Sequence, residues 1–352
     1  MKKLFLISII SLISCVLFAE PQQSKKQYQV VGVAFYNLEN LFDTINSNGS
    51  YDLEYSPAGA KKWDGRKYWS KIANMSYAIS QLATERTPGG PAIIGVSEIE
   101  NESVLKDLVK ADPIKKWMLQ VVHHDSPDRR GVDVAFLYRP DRFEFEGQSA
   151  LPVRMEEFPA MRTRDVVLMW GKIEGEQFCF MVAHWPSRSG GQAASDPKRR
   201  AAAKVMRDAA DSIHRANPAC KVVMMGDFND DPFDPSIAEV LNAKQKTKEL
   251  KEGDLFNPFW SMLKAGYGTL AYQDAWNIFD NIVVSENLVN ARAGELRLLK
   301  GTQPKFYGNI YRASFLFQQS GQYKGYPLRT FVGNDFQGGY SDHLPVYIFI
   351  GK

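Results

Sequence analysis

The chain has 352 residues, of which 44% are hydrophobic, so it can bury a substantial core, and disorder of the whole chain is excluded. Its formal net charge of +3 falls by two, to +1, if the first 19 residues are removed, because they hold two lysines and no acidic residue. A protein that grips nucleic acid through a broad electrostatic surface is usually more basic, so this chain has to hold any polyanion locally.

The N-terminus reads MKKLFLISIISLISCVLFAE, in which two lysines precede an uncharged apolar run over residues 4–19. The run is short for a membrane span and has the form of a secretory signal. Two ways of processing it stay open: cleavage after Ala19, or lipid attachment at Cys15, which ends the box LISC. We therefore expect residues 1–19 to be a signal peptide. The mature protein is expected to be periplasmic, secreted or lipid-anchored at the cell surface, without a transmembrane span.

The remaining sequence alternates strand-like and helix-like segments in one continuous pattern. Apolar runs predict strands, in chain order, over residues 28–36, 92–97, 132–138, 166–173, 178–183, 222–225, 278–284 and 346–350. Apolar residues at three- and four-residue spacing predict helices over 68–84 and 197–216, and Asn101 is placed to cap a third over 103–111. We expect a single α/β domain over residues 28–352, with two mixed β-sheets packed face to face and helices outside.

Acidic and amide residues follow or interrupt several of these apolar runs. They lie in Asn37-Leu38-Glu39-Asn40, Val96-Ser97-Glu98, Gly226-Asp227-Phe228-Asn229, Phe279-Asp280-Asn281 and Ser341-Asp342-His343. Burying an unpaired carboxylate is costly, so the repeated placement calls for a shared cation or a polar network. Carboxylate and amide oxygens suit a hard cation such as Mg²⁺ or Mn²⁺ rather than zinc. Each motif taken singly is also explained by a turn at the end of a strand.

Two of the motifs are more specific than the others. Asp227 and Asn229 are two residues apart, so in an extended chain both side chains face one way and Phe228 faces the other. Asp342 and His343 place an imidazole beside a carboxylate before the last apolar strand, which is the arrangement of a general acid and base.

Further histidines and basic residues are candidates for the same site. His184 follows an apolar strand, and Arg188 in the next loop is a candidate for phosphate binding. In contrast, we expect His123 and His124 in a solvated loop and His214 on a helix surface. Residues 198–200 are expected in the solvated first turn of a helix, with a phosphate contact as the alternative.

The mature chain keeps two cysteines, Cys179 and Cys220. Two cysteines are too few for a disulfide framework or a zinc cluster. We expect two buried thiols, with a single disulfide bridge as the alternative.

Six motifs, taken together and in this order, resemble those of the endonuclease/exonuclease/phosphatase superfamily. They are Asn37-Leu38-Glu39-Asn40, Glu98, His184, Gly226-Asp227-Phe228-Asn229, Asp280 and Ser341-Asp342-His343. The resemblance extends roughly over residues 30–350. It implies a four-layer α/β sandwich and hydrolysis of phosphodiesters with a divalent metal, Mg²⁺ or alternatively Mn²⁺.

The resemblance also implies a set of metal ligands. Glu98 corresponds to the principal ligand, and Asn37 with Glu39 to the positions that complete the metal shell from the first strand. Asp342 corresponds to a residue that touches a second or transient metal position.

The catalytic roles that the resemblance implies fall on five other residues. Asp227 positions or deprotonates the attacking water, and Asn229 hydrogen-bonds the water or a phosphate oxygen. His343 contacts the phosphate and takes part in proton transfer, held in its tautomer by Asp280. His184 matches a histidine of pancreatic deoxyribonuclease and of sphingomyelinases, and Asp133 is expected as its carboxylate partner.

The expected function is that of a secreted, divalent-metal-dependent phosphodiesterase, an endonuclease of low sequence specificity with nucleic acid as its substrate. The alternatives are a sphingomyelinase-like hydrolase of phospholipids or small phosphoesters, and an inactive binding protein of the same fold. Basic and aromatic residues interleave between Asp280 and Asp342, which fits either a surface that grips a nucleic acid strand or an ordinary loop with core aromatics. Within that segment, residues 313–317 are expected as a core strand rather than a membrane wedge.

Overall fold

The computed structural model describes residues 29–45 and 53–352, so the predicted signal peptide and Cys15 lie outside the described residues. The strands are β1 (Val30–Leu41), β2 (Ile93–Ile99), β3 (Gln120–His123), β4 (Asp133–Tyr138), β5 (Glu144–Leu151), β6 (Val166–Ile173), β7 (Glu176–His184), β8 (Lys221–Asp227), β9 (Ala243–Lys244), β10 (Leu255–Phe256), β11 (Leu270–Tyr272), β12 (Ala275–Asn277), β13 (Asp280–Ser285), β14 (Arg297–Leu298), β15 (Asn309–Ile310), β16 (Phe331–Val332), β17 (Asp335–Phe336) and β18 (Val346–Gly351). The helices are α1 (Gly65–Ser80), α2 (Glu102–Lys110), α3 (Gln192–Ala216), α4 (Trp260–Lys264) and α5 (Glu286–Val289).

Two large sheets and two small hairpins contain these strands. The first sheet has the order β14-β18-β1-β2-β4-β3, with β15 also paired to β18, and the second has the order β5-β6-β7-β8-β13-β10-β9. Both are mixed, because β1 runs parallel to β2 and antiparallel to β18, while β8 runs parallel to β7 and antiparallel to β13. The hairpins are β11-β12 and β16-β17. The prediction of two mixed sheets is confirmed.

The two sheets pack face to face through large apolar side chains. Phe35 and Phe136 of the first sheet and Phe180 and Met225 of the second are fully buried in one core cluster. Burying a side chain of this size stabilises the fold by about 1.5–3 kcal/mol. Where β2 crosses β8, a Cβ on Gly95 would lie 2.5 Å from the Met225 sulfur, so glycine sets the closest approach of the sheets.

Helices cover the outer face of each sheet and complete four layers. α1 packs on the first sheet through residues such as Ile72 and Met75. α3 packs on the second sheet through Ala203 and Met206. The four-layer α/β sandwich is therefore confirmed. Among the described helices, none combines the length and the apolar composition that a bilayer crossing requires.

Local chemistry explains where the helices begin. Asn101 caps α2 as predicted, since its Oδ1 accepts hydrogen bonds from the backbone N–H groups of Ser103 and Val104 at 2.9 and 3.2 Å. Asp64 caps α1 through the Lys67 N–H at 2.9 Å, so that helix begins three residues before the predicted start at position 68. α3 begins at Gln192, and Pro197 lies inside the helix rather than at its start.

One predicted strand is wrong. Residues 313–317 hold a 3₁₀ turn at Ser314–Leu316, in which the Leu316 N–H donates to the Ala313 carbonyl at 3.0 Å, and only an isolated antiparallel bridge between Phe317 and Pro327 follows it. Leu316 is buried in the core as expected, but a turn whose N–H groups bond to near neighbours cannot form a strand ladder. The two cysteines agree with the sequence, because Cys179 and Cys220 are buried thiols whose sulfurs lie 3.5 Å apart.

Candidate active site

The register of the second sheet brings three of the candidate catalytic residues together. The parallel pair β7-β8 places His184 beside Asp227, and the antiparallel pair β8-β13 places Asp280 opposite Asp227. Period-two geometry puts partners in adjacent strands on the same face of a sheet. The strand ends therefore build the site directly, as the polar residues after apolar runs predicted.

Asp227 is the buried centre of the cluster. Its Oδ2 accepts a hydrogen bond from Asn37 Nδ2 at 3.0 Å, and its Oδ1 accepts one from the Asn229 backbone N–H at 3.0 Å. The same Oδ2 lies 3.5 Å from His184 Nε2 and 3.7 Å from His343 Nε2. Burial raises the pKa of the Asp227 carboxyl to about 7 although the charge of His343 lowers it. Asp227 is thus poised to exchange a proton near neutral pH.

His343 and Asp280 form a tight pair, with Nδ1 and Oδ2 2.7 Å apart. Burial opposes the charged imidazole, but the carboxylates of Asp280 and Asp227 outweigh it and raise the pKa of His343 well above its ordinary value. Ser341 fixes the turn, since its hydroxyl donates to the Asn37 carbonyl at 2.7 Å and accepts from the His343 N–H at 3.1 Å. The pairing therefore favours the protonated form of His343 and fixes the orientation of its ring.

The pKa of His184 is shifted the other way. His184 is buried, with Nε2 3.9 Å from Glu98 Oε1 as well as 3.5 Å from Asp227. Burial, and next the charge of Arg164, hold the pKa of His184 well below its ordinary value. Two imidazoles whose pKa values are shifted in opposite directions therefore flank the same carboxylate.

The expected partnership of His184 with Asp133 is wrong. Asp133 instead contacts His123, whose Nε2 lies 3.0 Å from its Oδ2, and accepts a hydrogen bond from the Ser126 N–H at 3.0 Å. His123 belongs to β3, which pairs with β4, so it is also not in a solvated loop. Asp133 begins β4, and its carboxylate turns toward the neighbouring strand rather than toward the second sheet.

Glu98 lies at a bulge in β2, where the pairing with β4 shifts register between Ser97 and Ile99. Its φ of +59° is in the left-handed region, a strained backbone that costs about 1–3 kcal/mol and is typical of functional sites. Its carboxylate accepts from the Asn40 N–H at 3.0 Å and pairs with Arg130 at 3.2 and 3.3 Å. Burial alone would raise its pKa, but the charge and the hydrogen bonds of Arg130 hold the pKa well below its usual range.

The side chains of Glu39 and Asp342 are bridged by the guanidinium of Arg329 rather than joined to Glu98. Arg329 donates from Nε to Glu39 at 3.2 Å and from Nη2 to Asp342 at 2.8 Å. Glu39 also accepts from the Thr330 N–H at 2.7 Å and lies 3.7 Å from Lys71 Nζ. The role of Glu39 and Asp342 as metal ligands stays a prediction. Sequence reasoning missed Lys71, and Arg329 lies 290 positions from Glu39, so no local pattern could have linked them.

Arg188 lies against carboxylates rather than standing free for a phosphate. Its Nη2 is 2.6 Å from Asp234 and 3.2 Å from Asp230, its Nε donates to the Asn229 carbonyl at 2.9 Å, and its guanidinium stacks 4.4 Å from the centre of the Phe279 ring. In this structure Arg188 braces the loop that carries Asn229. Its role in substrate binding stays a prediction.

Two further predictions concern the same loop. Asn229 has φ +52° and its Nδ2 donates to the Trp185 carbonyl at 2.9 Å, which ties the loop to the end of β7. Arg199, expected in a solvated turn, is fully buried with Nε 2.7 Å from Asp230. That expectation is wrong, because α3 begins five residues earlier than predicted and its first turns pack on this loop.

The donor set fits a hard divalent cation. Glu98, Asp227 and Asn37 supply carboxylate and amide oxygens, which are the ligands that Mg²⁺ and Mn²⁺ prefer. Among the described residues, Asp227, Asp280 and His343 also present atoms within 4.8 Å of one another. Each of these carboxylates has a protein partner, which is His343 for Asp280, Asn37 for Asp227 and Arg130 for Glu98, so a bound ion would share it.

A model of the Endonuclease/Exonuclease/phosphatase family matches residues 32–352. The chain belongs to this family. Enzymes of the family hydrolyse phosphoester bonds with a divalent metal, and this chain is a phosphoester hydrolase of that family. A search of the curated proteins finds no match.

Solved structures agree on the fold. A D. rerio TDP2 complexed with single-strand DNA product has 13% identity and a TM-score of 0.53, covering 92% of this chain and 99% of that one. A truncated Caenorhabditis elegans TDP2 has 15% identity and a TM-score of 0.52, with coverages of 92% and 98%. A family protein from Bacteroides thetaiotaomicron has 19% identity and a TM-score of 0.51, also with coverages of 92% and 98%. At these identities the likeness shows the shared sandwich alone.

Proposed function

We propose that this hydrolase is an exported, divalent-metal-dependent phosphodiesterase that cleaves nucleic acid with low sequence specificity. The observation that carries the proposal is the buried Asp227 carboxylate, whose Oδ2 lies 3.5 Å from His184 Nε2 and 3.7 Å from His343 Nε2. A base and an acid within one cluster are what in-line attack of water on a phosphodiester requires.

Glu98, with Asn37, would hold the cation, Mg²⁺ or alternatively Mn²⁺. When bound, the ion supplies a Lewis acid that neutralises negative charge on the phosphoryl oxygens. Glu98 suits this role because its pKa is held low, so it stays an anion at any pH at which the enzyme works.

The protein's own groups account for the proton movements. Asp227 accepts the proton of the attacking water, and its hydrogen bonds from Asn37 and from the Asn229 N–H fix the direction of its oxygens. His343 faces the same space with Nε2 and donates a hydrogen bond to the phosphate or a proton to the leaving oxygen, while Asp280 holds its other nitrogen. Each such donor is typically worth about 3–4 kcal/mol in the transition state.

Two observations support nucleic acid as the substrate and export as the location. The D. rerio TDP2 of the same fold is complexed with single-strand DNA product. The lysines and apolar run of residues 1–19 have the form of a secretory signal.

The test is hydrolysis of single-stranded DNA, RNA, plasmid, sphingomyelin and bis(4-nitrophenyl) phosphate by residues 20–352 with Mg²⁺, Mn²⁺ or chelator. We expect Asp227→Asn and His343→Gln to lower kcat about 10²- to 10⁴-fold, because each removes a proton-transfer group. The matched controls are Asp125→Asn, whose side chain is 90% exposed, and His214→Gln on the surface of α3.

Activity that survives in Asp227→Asn at the normal rate would rule out this mechanism. Turnover of sphingomyelin alone would keep the chemistry and replace the substrate. Activity that persists in chelator would remove the metal from the proposal.

A further inference from the structure

A pocket of about 670 Å³ opens directly beside the catalytic cluster. Asp342, the neighbour of His343, and Glu39 form its inner wall. The outer walls include Tyr272 and Asp274 of the hairpin β11-β12 and, later in the chain, Tyr323 and Tyr326. Its volume suits one nucleotide-sized group, since small-molecule sites typically measure about 300–1,000 Å³.

The walls of the pocket are tied together. The hairpin β11-β12 turns at Gln273 and Asp274, which have φ of +49° and +63°, the signature of a tight two-residue turn. The Asp274 N–H donates to the Tyr326 hydroxyl at 2.7 Å, and that hydroxyl donates to the Asp274 carboxylate. The tip of the hairpin is therefore cross-linked to the segment that carries Tyr323.

Hydrogen bonds also connect the pocket to the catalytic residues. Asn277, at the end of β12, donates to Asp231 at 2.6 Å, and the Ile278 N–H donates to the same carboxylate at 2.8 Å. The Thr269 hydroxyl accepts from the Asp280 N–H at 3.3 Å. A group seated in the pocket would be held at a defined distance from the reacting phosphate.

The lining favours a flat polar ring over an acyl chain. Among the described lining residues, Tyr55, Tyr272, Tyr323, Tyr326 and Phe331 are aromatic, and amides and charged groups lie between them. Tyr272 is 66% exposed and Tyr323 is 38% exposed, so faces of these rings are available to a ligand. An acyl chain would displace water from the charged groups without offering them hydrogen bonds in its place. A nucleobase offers both a π-face and hydrogen-bonding edges.

Arg329 places a positively charged side chain in the lining of the pocket. It is 46% exposed, lines the pocket, and lies between the ring-lined wall and the catalytic cluster through its bonds to Glu39 and Asp342. Its Nε and Nη2 already donate to these carboxylates, so it is the remaining N–H groups of the half-exposed guanidinium that can meet a phosphate oxygen of a substrate that spans both regions.

We propose that this pocket seats the base of the nucleotide adjoining the scissile phosphate, stacked on Tyr272 and Tyr323. The inference rests on the proposed function. A base inside a duplex is paired and stacked and cannot enter, so the enzyme takes single strands or strand ends. The base is held by its π-face, which agrees with low sequence specificity.

The test compares a six-residue thymidine oligonucleotide with the same oligonucleotide carrying abasic residues at every internal position, both with Mg²⁺. We expect Tyr272→Ala and Tyr323→Ala to raise KM for the normal oligonucleotide about tenfold, the usual effect of losing one base–aromatic stack, and to change KM for the abasic one little. Tyr77→Ala, an exposed tyrosine of α1 outside the pocket, is the matched control.

A second measurement does not depend on turnover. Saturation-transfer NMR on the Asp227→Asn protein should show thymidine 5′-monophosphate bound through its base protons, with the signal lost in Tyr272→Ala. Equal effects of the tyrosine variants on the normal and abasic oligonucleotides, or binding of glucose 6-phosphate in preference to thymidylate, would overturn the proposal.

Failure of the proposed function has a separate signature. If bis(4-nitrophenyl) phosphate and both oligonucleotides stay intact with every metal, the phosphodiesterase assignment fails. The NMR measurement then decides the pocket alone, because absence of thymidylate binding overturns the inference and binding supports it.

Discussion

At the scale of single residues, the fold shifts the pKa values of His184 and His343 in opposite directions, although both are histidines. The sequence predicted both imidazoles at strand ends near Asp227. It could not predict that the two pKa values shift in opposite directions, because burial and next Arg164 lower that of His184, whereas Asp280 and Asp227 raise that of His343. Likewise Arg130 faces Glu98 across 32 residues of chain, and no spacing rule links them.

Asp234, in the loop after β8, leads to a prediction about how the stability of the fold depends on pH. Burial raises the pKa of Asp234 to about 6, against a hydrogen bond from the Asp231 N–H that lowers it, and the charge of Asp230 raises it further. The folded protein therefore binds this proton more tightly than the unfolded chain. Stability from this group is fully present below about pH 4 and is lost as pH rises toward 6.

The Asp234→Asn variant tests this sign. We measure the free energy of unfolding of the wild type and of Asp234→Asn by urea titration. The difference, wild type minus variant, should decrease as the pH rises from 4 to 7. Part of the fall is offset by Arg188, which lies 2.6 Å from Asp234 and favours its charged form. Asp125→Asn is the exposed control, and its difference should stay small. A difference for Asp234→Asn that rises with pH would show that the Arg188 ion pair outweighs burial.

At the scale of elements, the sequence predicted the buried strands, but it did not predict the exposed strand β5 or the end of β1. Buried strands such as β6 and β18 read as continuous apolar runs, and both lie where the sequence placed them. β5 was missed because most of its residues are exposed or half-exposed, so its polar pattern resembles a loop. β1 runs on to Leu41 rather than ending at position 36, so Asn37 and Glu39 lie inside a bulged strand.

The close packing of β7 and β8 leads to a prediction at Gly226. A Cβ at this position would lie 2.1 Å from the Ala183 carbonyl oxygen, a backbone atom that cannot turn away. Gly226→Ala should therefore separate the two strands where His184 meets Asp227 and destabilise the fold by about 1–3 kcal/mol, as overpacking does. It should also lower kcat, since the next residue is Asp227.

Urea unfolding together with phosphodiesterase assays checks this prediction. Gly65→Ala is the matched control, because a Cβ there, at the first residue of α1, meets nothing within 4 Å. Full activity and stability in Gly226→Ala would mean that the strands can part without disturbing the site.

At the scale of the whole molecule, the sandwich collects strand ends from both sheets at one rim. Asn37 and Glu98 come from the first sheet, whereas His184, Asp227 and Asp280 come from the second. A cluster built from residues 190 positions apart, such as Asn37 and Asp227, depends on the packing of the two sheets. The sequence could predict its members from polar residues at strand ends and from the family resemblance, but their spacing along the chain gives no sign that they meet.

The near-neutral charge of the whole chain leads to the last prediction. With a net charge of +3, or +1 without residues 1–19, the protein has no general excess of cations, so its hold on a nucleic acid strand is local. If the substrate is held at one or two phosphates, KM for single-stranded DNA should rise only roughly three- to sevenfold between 50 and 200 mM salt. A basic surface that neutralises all five phosphates of the six-residue oligonucleotide would raise it roughly 100-fold over the same range. The measurement is kcat/KM on the thymidine oligonucleotide at fixed Mg²⁺ over that range, and a steep slope would mean that a cationic track beyond the pocket carries the binding.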